Sequence, residues 1–273
     1  MKILYFGGGL GNQIFEYAFY LSVKEKFKSH RIWGIYDDKR FKEHIGGFEI
    51  EKIFNVEFPQ TSKTARIVMF CIMVWNKFIH KTSLYCHNLT KPNYNAIVFN
   101  AFKMNKVFYE HRHDWICFKP FVINDRNKSI VQEMNRTLSV AIHVRRGDFL
   151  SSKYAAKHAN VATIQYYQAA IEYVRTKFVS PKFFVFSDDI KWCKESLLLP
   201  DATFVDWNVG NESYIDMYLM TRSKAIIIAN STFSYWGAYL NNNNPIVIYP
   251  EKWKTSEAEY LDIFPETWIS MGT

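Results

Sequence analysis

The chain has little of what marks several common protein classes. It holds four cysteines in 273 residues, Cys71, Cys86, Cys117 and Cys193, and no two have metal-finger spacing. Disulfide frameworks belong to small secreted domains rather than to a core of this size, so buried, reduced thiols are expected. No apolar run approaches the ~20 residues of a membrane-spanning helix. The longest, Ile67 to Trp75, is closed by Arg66 on one side and by Asn76 and Lys77 on the other. The opening MKILYF gives way at once to glycines, without the longer apolar region and small-residue cleavage site of a signal peptide. These absences predict a protein that is neither exported nor membrane-spanning, and a cytoplasmic location. Internal repeats and low-complexity segments are also missing. The acids are outnumbered, 26 to 34, which gives a net charge of +8 and a pI near 9.1. Such a balance favours an anionic partner: nucleic acid, nucleotide or membrane surface. No nucleic-acid-binding signature accompanies it, and the basic residues are spread along the chain. The run His111-Arg112-His113-Asp114 lacks the further ligands of a metal site and reads as a surface loop.

What is present is apolar and aromatic. Hydrophobic residues make up 48% and aromatics 18%, enough for a packed core in one large domain or two modest ones. Lys2–Phe6 reads as a strand, followed by a glycine loop and a helical pattern in which Ile14, Ala18 and Leu21 share a face. RIWGIYD reads as a second strand, and residues 39–120 show no clear period. The second half is plainer. Strand Val140–Val144 precedes a helix at Thr163–Phe178 with Thr163 as N-cap. Then follow strand KFFVFSDD, a helix near Ile190–Leu197, strand TFVDW, helix ESYIDMYLMTRS, strand AIIIAN, helix SYWGAYLN and strand PIVIYP. This alternation predicts a parallel, doubly wound sheet with strands buried on both faces. A domain boundary is expected within residues 120–138, at the polar NDRNKS, dividing the chain into 1–130 and 131–273.

Four motifs stand at strand ends, where ligands of parallel sheets bind. Arg145-Arg146-Gly147-Asp148 follows strand Val140–Val144. Two guanidinium groups suit a diphosphate, Gly147 permits a sharp turn close to a ligand, and Asp148 either holds an arginine or takes a proton. The same residues read equally as a surface turn with an internal ion pair. Asn230-Ser231-Thr232-Phe233-Ser234 leads from a buried strand into a helix, offering hydroxyls and N–H groups to an anion, or ordinary capping by Asn230 or Ser231. Ser187-Asp188-Asp189 ends a third strand and suits a nucleobase or ribose, or an N-cap. Gly7-Gly8-Gly9-Leu10-Gly11-Asn12-Gln13 joins a strand to a helix but is neither GxGxxG nor a P-loop.

Taken together, Gly8 to Gln13, His143 to Asp148 and Asn230 to Gly237, in that order, resemble the α-1,2-fucosyltransferase family, glycosyltransferase family 11. The likeness covers both ends and the second half of the chain. It departs mildly at Phe149, where tyrosine is usual, and at Tyr235-Trp236, where a tryptophan pair is usual. The resemblance implies a GT-B-like α/β fold, two Rossmann-like domains with parallel sheets facing across a cleft. It implies an inverting transfer of L-fucose from GDP-β-L-fucose to the 2-hydroxyl of a galactose, without a metal or other cofactor. No DxD motif precedes the expected donor site, so arginines would meet the diphosphate charge. Under that resemblance Arg145 and Arg146 stabilise the leaving GDP, with Ser231, Thr232 and Ser234. His143 and Asp188 attend the guanosine end, and Ser187, Asn230, Phe233, Gly9 and Gly11 complete the donor site. Asn12 approaches the sugar or the acceptor, and Asp148 is the nominee for general base. A galactose-terminated glycan, lipid-linked or free, would be the acceptor. The basic charge would favour peripheral contact with the anionic inner face of a bacterial plasma membrane. The rivals are a transferase of another GDP-sugar or linkage and a non-catalytic nucleotide-sugar-binding protein.

Overall fold

The computed structural model describes residues 1–42, 47–78, 83–150, 155–255 and 261–272. The chain divides into two compact units, Met1–Pro120 with Leu261–Ile263, and Phe121–Tyr260 with Phe264–Thr273. The main division falls after Pro120. The polar NDRNKS expected to separate domains is instead helical: Asn124 caps it by accepting from the Asn127 N–H, and its apolar Ile130 and Met134 are buried. Spaced four apart on one face, those two residues make this polar stretch an amphipathic helix rather than a linker.

The first unit contains β1 (Lys2–Phe6), α1 (Leu10–Lys26), β2 (Ile32–Tyr36), α2 (Asp38–Lys42), α3 (Ile50–Ile53), α4 (Lys63–Phe78), β3 (Tyr85–Cys86) and β4 (Val98–Asn100). Its strands pair in parallel in the order β2-β1-β4-β3. Ile3, Ile35 and Val98 of the sheet pack with Ala65 and Ile72 of α4. Neighbouring aromatics, such as Phe58 edge-on to Phe6 and stacked on Tyr17, fill the rest.

The second unit begins with the helix just described, α5 (Asp125–Arg136). Then come β5 (Ser139–Val144), α6 (Ala155–His158), α7 (Ile164–Lys177), β6 (Lys182–Ser187), α8 (Ile190–Ser196), β7 (Thr203–Val205), α9 (Tyr214–Met220), β8 (Ala225–Ile227), α10 (Thr232–Tyr239), β9 (Ile246–Pro250) and β10 (Ile269–Met271). Its six parallel strands run β10-β9-β8-β5-β6-β7. From β5 the chain winds outward through β6 and β7, then returns to β8 on the other side. The β5–β8 junction is therefore the switch point where such sheets open a crevice at their carboxyl ends.

Val140, Ile142 and Val144 alternate along β5 and pack with Tyr166, Tyr167, Ala170, Ile171 and Val174 of α7. Thr163 caps α7 as expected, accepting from Tyr166 N–H. Two tyrosines fasten this helix to the functional end of the sheet. The Tyr166 hydroxyl donates to the carbonyls of Ile228 and Ile248, 2.7 and 3.0 Å away, and that of Tyr167 to the His143 carbonyl at 3.1 Å. Two parallel α/β sheets in two units make this a GT-B-like, Rossmann-type architecture. The cysteines depart from expectation: Cys86 and Cys193 are buried, but Cys71 and Cys117 are exposed.

Candidate active site

The site of the second unit follows from strand register. In the β5–β6 pair Val144 lies opposite Ser187. Arg145 and Arg146 follow directly after β5, as Asp188 and Asp189 follow directly after β6. The side chains meet accordingly: Arg145 Nε lies 3.2 Å from Asp188 Oδ2, and Arg146 Nε 3.1 Å from Asp189 Oδ2. The backbone N–H of Arg146 also donates to Asp188 Oδ1 at 2.8 Å. The Arg146 guanidinium lies over the Trp192 ring, 4.0 Å from its centroid. Asp189 serves twice, because its Oδ1 accepts from Trp192 N–H and caps α8. Ser187 steadies this turn, its hydroxyl accepting from Asp189 N–H at 2.9 Å.

Asp188 is engaged by Arg145 and by the Arg146 backbone. Asp189 fixes Arg146. Asp148 opens a short 3-10 turn, Asp148–Leu150, and its side chain lies outside the described residues. A Cβ at Gly147 would sit 3.0 Å from Asp188 Oδ2 and crowd that carboxylate.

The loop after β8 behaves differently from a row of phosphate hydroxyls. Ser231 occupies the N-cap position of α10 in extended conformation, with no side-chain capping bond. Ser234 is fully buried and turns its hydroxyl back to the carbonyls of Ser231 and Ala229, 3.2 and 3.4 Å away. Asn230 does not cap either; its amide donates to the carbonyls of His158 and Trp253 at 3.3 and 3.2 Å. Phe233 lies 5.6 Å from the His143 ring. His143 itself is only 5% exposed. Burial, with Arg145 nearby, holds its imidazole neutral, its pKa lowered to about 3. Its Nδ1 has no hydrogen-bond partner among the described residues.

A cavity of about 270 Å³ opens beside the arginines. Arg145, Arg146 and Asn230 line it, together with Trp192, Phe149 and His158. Phe149 stacks on His158 with ring centroids 4.8 Å apart. Thr232 begins α10, at whose N-terminus the helix dipole is positive. Two fixed cations, a helix N-terminus and aromatic walls can hold a diphosphate and a flat ring. Trp192, Asp189's second role and the wall from His158 to Gln165 were not foreseen. The adjacency of Asp189 to a strand end parallel to the arginines was the available signal.

The glycine loop of the first unit is tied down by buried side chains. Gln13 donates to the carbonyls of Gly8 and Gly47 and accepts from the N–H groups of Glu49 and Ile50. Glu16 Oε1 accepts from Gly7 N–H at 2.9 Å. Gly8 has φ +131°, and a Cβ there would lie 2.6 Å from Asn12 Nδ2. Gly9 is the N-cap of α1, Gly11 is buried in its first turn, and Asn12 donates its N–H to the Gly9 carbonyl.

Comparison with known proteins agrees with this architecture. The sequence profile of glycosyl transferase family 11 matches residues 2–272. An α-1,2-colitosyltransferase of Escherichia coli is 35% identical, covering 96% of each chain. Galactoside α-(1,2)-fucosyltransferase 2 of Gorilla gorilla gorilla is 27% identical over 61% of this chain and 51% of its own. Among solved structures, a glycosyl transferase family 9 protein from Veillonella parvula superposes with a TM-score of 0.50 at 10% identity, covering 99% of this chain and 86% of that one, a likeness of fold.

Proposed function

The chain belongs to glycosyl transferase family 11, and from that premise we propose that it moves L-fucose from GDP-β-L-fucose to the 2-hydroxyl of a galactose, with inversion. The observation that carries the reading is the pair Arg145–Asp188 and Arg146–Asp189 at the switch point beside the α10 N-terminus. Aspartates that fix the arginines beforehand remove the reorganisation a flexible cation would need at the moment of reaction. The acceptor oxygen bonds to the anomeric carbon as the bond from that carbon to the β-phosphate oxygen breaks. The electron pair leaves on GDP, where Arg145 and Arg146 meet it in place of a metal. The hydroxyl proton passes to a base, for which Asp148 remains the nominee; Asn12 is proposed on the acceptor side. The family likeness supports a galactose-terminated glycan acceptor, and the net charge of +8 supports peripheral contact with an anionic membrane at its cytoplasmic face.

A second donor is favoured by one specific observation, the colitosyltransferase at 35% identity. Colitose is L-fucose without its 3-hydroxyl, so both GDP-sugars would use the same diphosphate site. The test is turnover of GDP-fucose and GDP-colitose with galactose-terminated oligosaccharides in excess chelator, with the product linkage read by NMR. Transfer from GDP-fucose that persists in chelator is expected. Loss of activity restored by Mg²⁺ would assign the diphosphate to a metal, and GDP-sugar binding with no GDP release against any acceptor would make the protein a binder only. Asp148→Asn keeps shape but cannot take the proton, so it should lower the rate ~10²-fold or more while GDP binding persists. A near-normal rate would remove Asp148 as the base.

A further inference from the structure

Helix α4 is apolar on two sides. Ala65 and Ile72, with Val68 and Met69, pack toward the sheet. Ile67, Phe70, Val74 and Phe78 repeat the helical spacing on the outward side and are 64%, 68%, 38% and 75% exposed. Trp75 is 56% exposed on one flank of that stripe. Scattered exposed apolar residues are ordinary, but a continuous stripe of this length is a surface that something covers.

The charge around the stripe indicates what covers it. α4 contains no acid, and its exposed Lys63, Arg66 and Lys77 fall, by helical period, along the flank beside Phe70. The wider segment between Glu57 and Glu110 holds seven lysines and arginines and no aspartate or glutamate. The basic residues are indeed spread along the whole chain; the acids are not. A second copy docking here by a twofold axis would set this cationic flank against itself with no acid on the helix to pair with it. An anionic surface supplies the missing counter-charge. With 16 residues α4 is short for a span, and no helix among the described residues is long and apolar enough to cross a membrane. The feature set is that of a helix lying in the plane of an interface.

We infer that the outward face of α4 docks into an anionic lipid bilayer. Ile67, Phe70, Val74 and Phe78 enter the boundary between headgroups and acyl chains, and Lys63, Arg66 and Lys77 meet lipid phosphates. The inference deepens the peripheral-membrane part of the reading above, and vesicle binding fails or succeeds separately from sugar transfer.

The test uses the full chain and vesicles of phosphatidylethanolamine with phosphatidylglycerol, against phosphatidylcholine alone. Flotation should require phosphatidylglycerol. Lys77→Gln should weaken binding ~5-fold, and Phe70→Glu ~10-fold or more, while both variants transfer sugar to a soluble acceptor at the wild-type rate. Cys71 lies on the stripe and is exposed, so it reports the docked face directly. Its reaction with a water-soluble maleimide, mapped by mass spectrometry, should be suppressed on the anionic vesicles. Vesicle-bound protein with Cys71 still reactive, or binding indifferent to Phe70→Glu, would overturn the assignment. So would Cys71 protection in lipid-free buffer with a doubled mass, which would make the face a self-interface. Vesicle binding without turnover of a soluble acceptor supports the surface and counts only against the transfer reading.

Discussion

At the end of β1 a glycine loop leads into α1. At the end of β5 two arginines lead into a 3-10 turn, while β8 alongside leads into α10. Both places are strand-to-loop connections at a parallel sheet's carboxyl edge, yet their polar groups face different ways. In the first unit Gln13 and Glu16 spend their hydrogen bonds on backbone N–H and C=O groups of the loops around them. In the second, the polar side chains hold one another: Asp188 and Asp189 fix the arginines at the rim of a cavity. A polar motif at a strand end is thus no guide by itself to ligand contact. What separates scaffold from site is whether the polar atoms are consumed by the backbone or are poised as a charged pair beside open space.

The largest test of that contrast is Arg145→Lys. Lysine keeps the charge but loses the planar fork that Asp188 holds. A ~10²-fold loss in kcat/KM is expected, the size of one preorganised transition-state donor, with unfolding unchanged. Near wild-type kinetics in the folded variant would demote the arginine pair to a surface turn.

The counterpart in the first unit is Gln13→Leu. It leaves the N–H groups of Glu49 and Ile50 without their acceptor. Buried donors left unpaired cost roughly 1–3 kcal/mol each, so stability should fall by about 3 kcal/mol in urea titration. GDP affinity should stay as it was. A variant that stays stable but loses GDP would make the glycine loop part of the donor site after all.

Each unit also contains a carboxyl whose burial pushes its pKa up to about 7, Glu49 in the first and Asp216 in the second. For Asp216 the bond from Asn208, 2.8 Å long, opposes that rise but does not cancel it. A raised folded pKa means that the folded state binds the proton more tightly than the unfolded chain. The associated stability is fully present below about pH 4 and is lost as pH rises through 7. Wild-type stability should therefore fall between about pH 4 and 7 and level off above, by at most about 1.4 kcal/mol per pH unit from each group. Asp216→Asn and Glu49→Gln should each flatten part of that slope, measured by urea unfolding across the range. A slope unchanged by both would place the protonated carboxyls elsewhere.

The sequence showed the second unit better than the first for a physical reason. Strands such as β5 are buried on both faces and read as unbroken apolar runs, and their helices carry a single apolar stripe. In the first unit β3 and β4 are only two and three residues long. The stripe on the outside of α4 fills the gaps of the one on its inside, so its period vanished into the run Ile67–Trp75. At the site, residue types were legible and pairings were not. Arg145, Arg146, Asp188 and Asp189 could all be named, but which carboxylate meets which guanidinium depends on the β5–β6 register, set by packing far along both strands. The backward bonds of Ser234 were equally illegible, because a hydroxyl in a helix's first turn can bond to carbonyls as readily as outward to an anion.

The smallest effect is the most discriminating, because Asp189 belongs to scaffold and site at once. One oxygen caps α8 and the other holds Arg146. Asparagine is as good an N-cap as aspartate, whereas alanine is not, and losing a cap costs about 1 kcal/mol. Asp189→Asn should therefore keep the melting temperature and release the ionic hold alone. The carboxylate is about one-third exposed, so that hold is screened. Its loss is worth about 1 kcal/mol, or ~5-fold in GDP affinity by calorimetry. Asp189→Ala should show the same loss of affinity together with a lower melting temperature. If Asn leaves GDP affinity intact, stacking on Trp192 suffices to position Arg146, and Asp189 is scaffold, like Gln13. If Asn lowers both quantities, the cap needs the charge: a carboxylate at the α8 N-terminus then opposes the helix dipole's positive end more strongly than a neutral amide does.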